Sequence, residues 1–193
     1  MFAVTDRLLL RPGWAEDAPA LTRAIANEKI ARNLAMLPWP YGEDDARGFI
    51  GFMWGGHPVE FLITRRDTSE IIGGIGLHDD PDEPGEQELG YWIAEPHWGQ
   101  GYATEAGRAV LDIARDTLRL PKLRSAWFHD NPASGRVLAK LGFRPTGQIV
   151  PRRSVGRGES VPAVLVAQAL AAEGDAPIPP MRSSAQMQMQ LAA

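Results

Sequence analysis

Residues 88–106 read ELGYWIAEPHWGQGYATEA, and an amphipathic run continues from there to Leu118. Glu88 to Ala94 is apolar-rich and of strand length, Gly99 and Gly101 mark a turn, and the spacing from Ala103 predicts a helix. Its apolar face carries Ala106, Val110, Ile113, Ala114 and Thr117, while Arg108, Asp112, Arg115 and Arg119 fall elsewhere. A strand, a glycine turn and a helix in that order aim unpaired backbone N–H groups at one spot on the helix axis. The dipole favours an anion there and the glycines let it approach closely. A phosphate is the natural ligand. Pro96 has no N–H and ends pairing with a neighbouring strand, leaving a gap for an extended ligand arm. Two glycines before a helix also describe a plain tight turn, so neighbouring segments must decide. Nucleotide motifs fail on residues: there is no G-K-S/T, and Gly74-x-Gly76 lacks a later glycine and a following helix.

Working outward, Arg7 to Arg11 is a short strand stopped by Pro12 and Gly13, and Ala18, Leu21, Ala24 and Ile25 give a helix. Asn33 to Tyr41 reads as a loop, broken by Pro38 and Pro40, before a helix from Glu43 to about Gly55 and Gly56. Strands follow at Val59–Arg65, Glu70–Leu77 and Glu88–Ala94, the last two separated by an acidic loop from Asp79 to Gln87. Beyond the long helix come a strand at Leu123–His129, a helix opened by Asn131-Pro132 and closed near Gly142, and strands at Phe143–Ile149 and Val161–Ala169. This order predicts an α/β (α+β) fold: one domain over residues 1–172, with a mixed sheet of about seven strands and about four helices. Residues 173–193, rich in Pro, Ser and a Met-Gln repeat, read as a flexible tail.

The 193 residues suit one domain, and the absence of Cys excludes disulfides, thiolate metal sites and a cysteine acyl-enzyme. A net charge of −4 without a basic block argues against nucleic acid. No leader or membrane-length apolar run is visible, so the cytoplasm is the expected compartment and no membrane partner is expected. The His residues at 57, 78, 97 and 129 show no metal-ligand spacing, and no metal is expected.

Five separated motifs then carry a resemblance. They are TDRLLLRP at residues 5–12, LPWPY at 37–41, IIGGIGLH at 71–78, the 88–106 run and NPASGRVLAKLGF at 131–143. Together they resemble the GNAT superfamily of N-acetyltransferases, most closely the RimJ/RimL branch of ribosomal-protein alanine acetyltransferases. The resemblance implies that acetyl-CoA lies between splayed strands, the fourth and fifth of the seven, at Glu88–Ala94 and Leu123–His129. Its pyrophosphate would meet the backbone from Trp98 through Gly99, Gln100, Gly101, Tyr102 and Ala103, with Thr104 next along the helix. Trp98 stands where the family signature has Gln or Arg, a departure that removes a side chain and keeps the backbone donors. The pantetheine arm would pair with Trp92 and Ile93, the Trp92 N–H would polarise the thioester carbonyl, and Asn131 would hydrogen-bond the cofactor.

An amine must lose its proton before attack. Glu88 is the first candidate for that base, with a solvated strand-end carboxylate as the alternative. The family's usual tyrosine acid is replaced here by Leu138. Ser134 is the nearest substitute, able to hydrogen-bond the leaving sulfur or to serve only in capping the helix that Asn131 begins. The resemblance puts Trp39 and Tyr41 over the acceptor pocket, although Pro-flanked aromatics also pack loops. His78 is either an assisting base or structural. Six carboxylates between Asp79 and Glu88 would suit a cationic acceptor, or form a solvated hairpin. Arg152, Arg153 and Arg157 are expected in an exposed turn, with a role toward a substrate carboxylate as the alternative.

With no Cys to hold the acetyl group, direct transfer in a ternary complex is expected. The acceptor is a protein N-terminus, toward which the branch leans, or a small-molecule amine: a polyamine, an amino acid or an aminoglycoside. The chain would work as a monomer or homodimer. Leu138 keeps open a non-catalytic acyl-CoA-binding sensor.

Overall fold

The computed structural model describes residues 1–55 and 59–170, so the expected tail lies outside the described residues. Eight strands form one sheet: β1 (Ala3–Val4), β2 (Leu8–Arg11), β3 (Glu60–Arg65), β4 (Ile71–Asp79), β5 (Gln87–Ile93), β6 (Lys122–Phe128), β7 (Arg144–Ser154) and β8 (Glu159–Ala169). Their spatial order is β1-β2-β3-β4-β5-β6-β8-β7. Neighbours are antiparallel except β5 and β6, which run parallel and share a single registered pair, Glu88 with Arg124. The splay therefore falls between the two expected segments. They count as fifth and sixth because two-residue β1 is too short to show a sequence period.

Two hydrophobic layers sandwich the sheet. Along β5 the side chains alternate, with Leu89, Tyr91 and Ile93 in one layer and Trp92 in the other. The first layer is covered by α4 (Tyr102–Asp112) and α5 (Pro132–Lys140), through Ala106, Val110, Leu111 and Leu138. The second is covered by α1 (Ala18–Ile25), α2 (Glu28–Ala31) and α3 (Glu43–Met53), through Leu21, Ile25, Ile30, Ala46 and Ile50. The single helix read around Ala18–Ile25 is followed by a separate short one, because Asn27 leaves the helical conformation and caps α2 by accepting from Lys29 N–H. At the other end of the long helix, Ile113–Thr117 winds into a π turn before Pro121.

The central strand β4 is buried from Ile71 to Leu77, and its glycines serve close approach. A Cβ on Gly74 would collide with the Trp92 indole, and one on Gly76 with the Glu60 carboxylate. The sheet is thus bare where those side chains lie across it.

Candidate active site

On the far side of β5 from β4, the backbone edge opens toward the gap. Ala94 N–H donates to Ile72 C=O at 2.8 Å, and the antiparallel register runs unbroken from Gly73–Ile93 to Asp79–Gln87. Alternation then turns the backbone groups of Gly74 and Trp92 toward each other, and those of Tyr91 and Ile93 toward β6. The Trp92 N–H, expected to face a thioester, therefore faces β4; Tyr91 and Ile93 offer the edge to the gap. Beyond Glu88 the spreading strands are bridged by a side chain, Ser125 Oγ donating to Leu89 C=O at 2.8 Å. The Trp98 indole N–H donates to Ile93 C=O at 2.6 Å, so this departure from the family signature caps the end of the strand.

The gap leads to the N-terminus of α4. Gly101 is its N-cap at φ +83°, a left-handed conformation that glycine adopts without strain, and Gly99 lies at φ +74°. Glu105 N–H is the donor that reaches Gly101 C=O, so the N–H groups of Tyr102, Ala103 and Thr104 have no partner inside the helix. Arg7 braces this turn. Its Nε donates to Glu105 Oε2 at 2.7 Å, its Nη1 to Gln100 C=O at 3.1 Å, and its guanidinium lies 4.4 Å from the Tyr102 ring centroid. A cavity of about 320 Å³ runs from here along β5, lined by Trp92, Ile93, Trp98, Gly99, Gly101, Tyr102, Ala103, Thr104 and Asn131. Arg136 and Lys140 of α5 add positive charge to its wall. Gln100 is not in this lining; its side chain donates to Pro96 C=O. Open helix amides, a left-handed glycine and nearby cations form a cradle that fits a diphosphate.

At the inner end stands Ser134. Asn131 caps α5, its Oδ1 accepting from Ser134 N–H at 3.3 Å, and also lines the cavity. Ser134 Oγ lies 2.8 Å from the Tyr91 hydroxyl, and burial pushes that phenol up to about 12. Leu138 is fully buried, whereas a phenol reaches Ser134 from β5. Sequence reading missed Tyr91 because the contact spans 43 residues.

A second cavity, of about 710 Å³, lies over β4 and the Glu88 end of β5 and shares Asn33, Leu34, Tyr91, Trp92 and Ser134 with the first. Its floor includes Glu60, Gly74, His78, Glu88, Gly90 and Trp92, and its other walls are largely apolar, with Met36, Leu37, Phe49, Phe52 and Trp127. Tyr41 lines it, buried, with its hydroxyl pushed up to about 12 by burial and by Asp45. Trp39 is 41% exposed and absent from the lining, so of the two expected loop aromatics only Tyr41 faces this space.

Charged groups divide the far wall. Arg152 Nη1 donates to both oxygens of Glu88, at 2.7 and 2.6 Å, and its Nη2 to Asp82 at 2.6 Å. Burial raises the Glu88 pKa and the guanidinium opposes the shift. The acidic loop is a network of ion pairs: Asp80 meets Arg124 at 2.9 Å and Glu86 meets Lys122 at 2.5 Å. Arg152 and Arg157 correct the expected exposed turn, since their side chains are 12% and 9% exposed and Arg157 forks onto Asp130. Glu60 was invisible in the sequence. It is 5% exposed, its Oε2 lies 3.3 Å from His78 Nε2, and burial lifts its pKa to about 8. Among the described residues no His, Asp or Glu cluster is arranged to hold a metal ion, and no helix is long and apolar enough to cross a membrane.

Comparison with known proteins places this geometry. Residues 7–144 match the family model described as "Acetyltransferase (GNAT) domain". The "Uncharacterized N-acetyltransferase YoaA" of Bacillus subtilis is 32% identical over 146 residues, covering 74% of this chain and 82% of that protein. The "Ribosomal-protein-serine acetyltransferase" of Escherichia coli is 30% identical over 114 residues, covering 55% of this chain and 63% of its own length. A GNAT-family acetyltransferase structure from Bacillus anthracis superposes with a TM-score of 0.76 at 22% identity, over 88% of this chain and 99% of that one.

Proposed function

The chain belongs to the GNAT acetyltransferase family and is an acyltransferase that uses acetyl-CoA; from that premise we propose that it acetylates the N-terminal amine of a protein or peptide by direct attack within a ternary complex. One observation carries this reading: two cavities along β5 meet at Tyr91, Trp92 and Ser134, one ending in the open amides of α4 and the other lined by apolar groups and carboxylates. The N–H groups of Tyr102, Ala103 and Thr104, with Arg136 and Lys140, hold the phosphates. The backbone edge of Tyr91 and Ile93 aligns the pantetheine arm and faces the oxygen charge that builds on the thioester carbonyl. Ser134 and Tyr91 present hydroxyls to the departing sulfur. Neither is a strong acid, so their role is to hydrogen-bond the thiolate.

The acceptor enters from the second cavity. Glu88 keeps a carboxylate in its wall, and its clamp on Arg152 suits drawing in and orienting an ammonium better than taking a proton. A single cation on an apolar body matches those walls, as an N-terminal residue provides. Of the acidic run that would suit a polyamine or aminoglycoside, Asp80, Asp82, Glu86 and Glu88 already have basic partners. The name of the Escherichia coli relative, which acts on a ribosomal protein, supports the same class.

Thiol release from acetyl-CoA, measured against N-terminal peptides, polyamines, amino acids and aminoglycosides, tests the proposal. Peptides should give the highest kcat/KM. Gly101→Asp, which sets a carboxylate beside the phosphates, should weaken acetyl-CoA binding at least about tenfold. Tight cofactor binding with no turnover on any amine would sink the enzyme reading, and unchanged affinity in the variant would sink the phosphate cradle.

A further inference from the structure

Glu88 gives both oxygens to Arg152, so the proton that an entering ammonium must lose needs another receiver in the same cavity. The floor supplies one. Cross-strand register sets Glu60 opposite Gly76 and Gly76 opposite Gly90, with His78 opposite Glu88. With no side chain on either glycine, the Glu60 carboxylate lies over Gly76 and the His78 ring over Gly90, where an added Cβ would sit 3.4 Å from His78 Cδ2 and 3.5 Å from Nε2. A line of groups thus runs from β3 across the bare sheet toward the edge where Trp92 and Ser134 mark the junction of the cavities.

We propose that Glu60 and His78 form a carboxylate–imidazole pair in which His78 takes the acceptor's proton, directly or through one water, while Glu60 orients the ring and offsets its charge. This rests on the acetyltransferase reading above. Glu60 Oε2 is buried and accepts no hydrogen bond among the described residues, although it stands 3.3 Å from His78 Nε2. Such an orphaned oxygen is costly in a site that only needs packing, and it becomes useful when the neighbouring ring gains a proton. A carboxylate behind an imidazole is a recurring way to fix the ring and stabilise its cation. His78 is half-exposed toward the cavity side of this pair, so the proton can leave to solvent. Protons and bonds balance. One proton of the ammonium passes to His78 and on to water; the second, lost as the C–N bond forms and the C–S bond breaks, neutralises the thiolate. The other charged or titratable groups among the described residues around this space are Asp44 and Asp45 of α3, Tyr41 of the preceding loop, Glu88 and Tyr91 of β5 and Arg152 of β7.

The test is kcat and kcat/KM with the best acceptor peptide from pH 5.5 to 9, for the wild type, Glu60→Gln, His78→Gln and Glu88→Gln. Glu60→Gln should lower kcat about 30-fold and displace the acidic limb of kcat/KM, because the carboxyl and the ring share one proton and the amide cannot take part. KM for acetyl-CoA should stay within about twofold, since the pair acts on the amine. His78→Gln should abolish the limb and Glu88→Gln should keep it. A limb unchanged in both Glu60→Gln and His78→Gln, or lost in Glu88→Gln, overturns the inference. Should Glu60→Gln fail to fold, His78→Gln carries the same decision. A wild-type chain that binds acetyl-CoA and acetylates nothing would instead bring down the parent reading, and this inference with it.

Discussion

Glu60 ties stability to pH, apart from its proposed part in proton transfer. Its carboxyl group has a pKa near 8 in the folded chain against an ordinary value of 4.5, because burial penalises the charged form. The fold therefore prefers the protonated group. That preference is fully present below about pH 4.5 and is lost as pH rises through 8, a contribution on the order of a few kcal/mol. Melting curves should show Glu60→Gln close to wild type at pH 5 and several degrees higher at pH 8. Parallel curves at both pH values would mean that the carboxyl is ionised at little cost. A residue of this kind was not legible in the sequence, where Glu60 is one polar letter at the start of an apolar strand. Its meaning depends on Gly76 and Gly90, brought beside it by the register of β3, β4 and β5. Gly101 was legible because its evidence is local: the turn and helix that give it a role follow within a few residues.

Among elements, the ones with strong local signals were read to within a few residues, as with β5, β6 and α5. Those that depend on distant partners were not. The sequence suggested a strand ending near Ile149, yet β7 runs on to Ser154 through Pro151, with its register shifted between Pro145 and Ile149. Its far end matters because it carries Arg152 to Glu88 and Asp82. Removing that guanidinium leaves Glu88 in a mostly buried wall without its cation. Arg152→Met should then cost about 3 kcal/mol, since an uncompensated buried charge is worse than none. The double variant Arg152→Met/Glu88→Gln should recover much of the loss in urea unfolding. Equal losses in the single and double variants would show that β7 is anchored by its pairing with β8 and owes nothing to this contact.

Across the whole molecule, a net charge of −4 is arranged unevenly around β5. Arg7, Arg136 and Lys140 surround the open end of α4, while Glu60, Asp44, Asp45 and Glu88 line the opposite cavity. An anionic ligand and the proposed cationic acceptor can thus approach from different sides and meet where Tyr91, Trp92 and Ser134 join the cavities. The splay that makes this meeting possible has a cost, because β5 and β6 share one registered pair where a closed sheet would share several. A ligand that pairs with the β5 edge and occupies the α4 amides should restore part of that cohesion. At about 100 times its Kd, CoA adds about 2.7 kcal/mol, enough for a rise in Tm of about 5–10 °C in a chain of this size. Pantetheine, which lacks the phosphates, reaches the strand edge alone and should give a much smaller rise at equal concentration. The difference between the two shifts should shrink as salt is added, because the phosphate contribution is electrostatic and the groups around α4 are partly exposed. Equal shifts from CoA and pantetheine would place the whole stabilisation in the gap and leave the amides of Tyr102, Ala103 and Thr104 without a part in it.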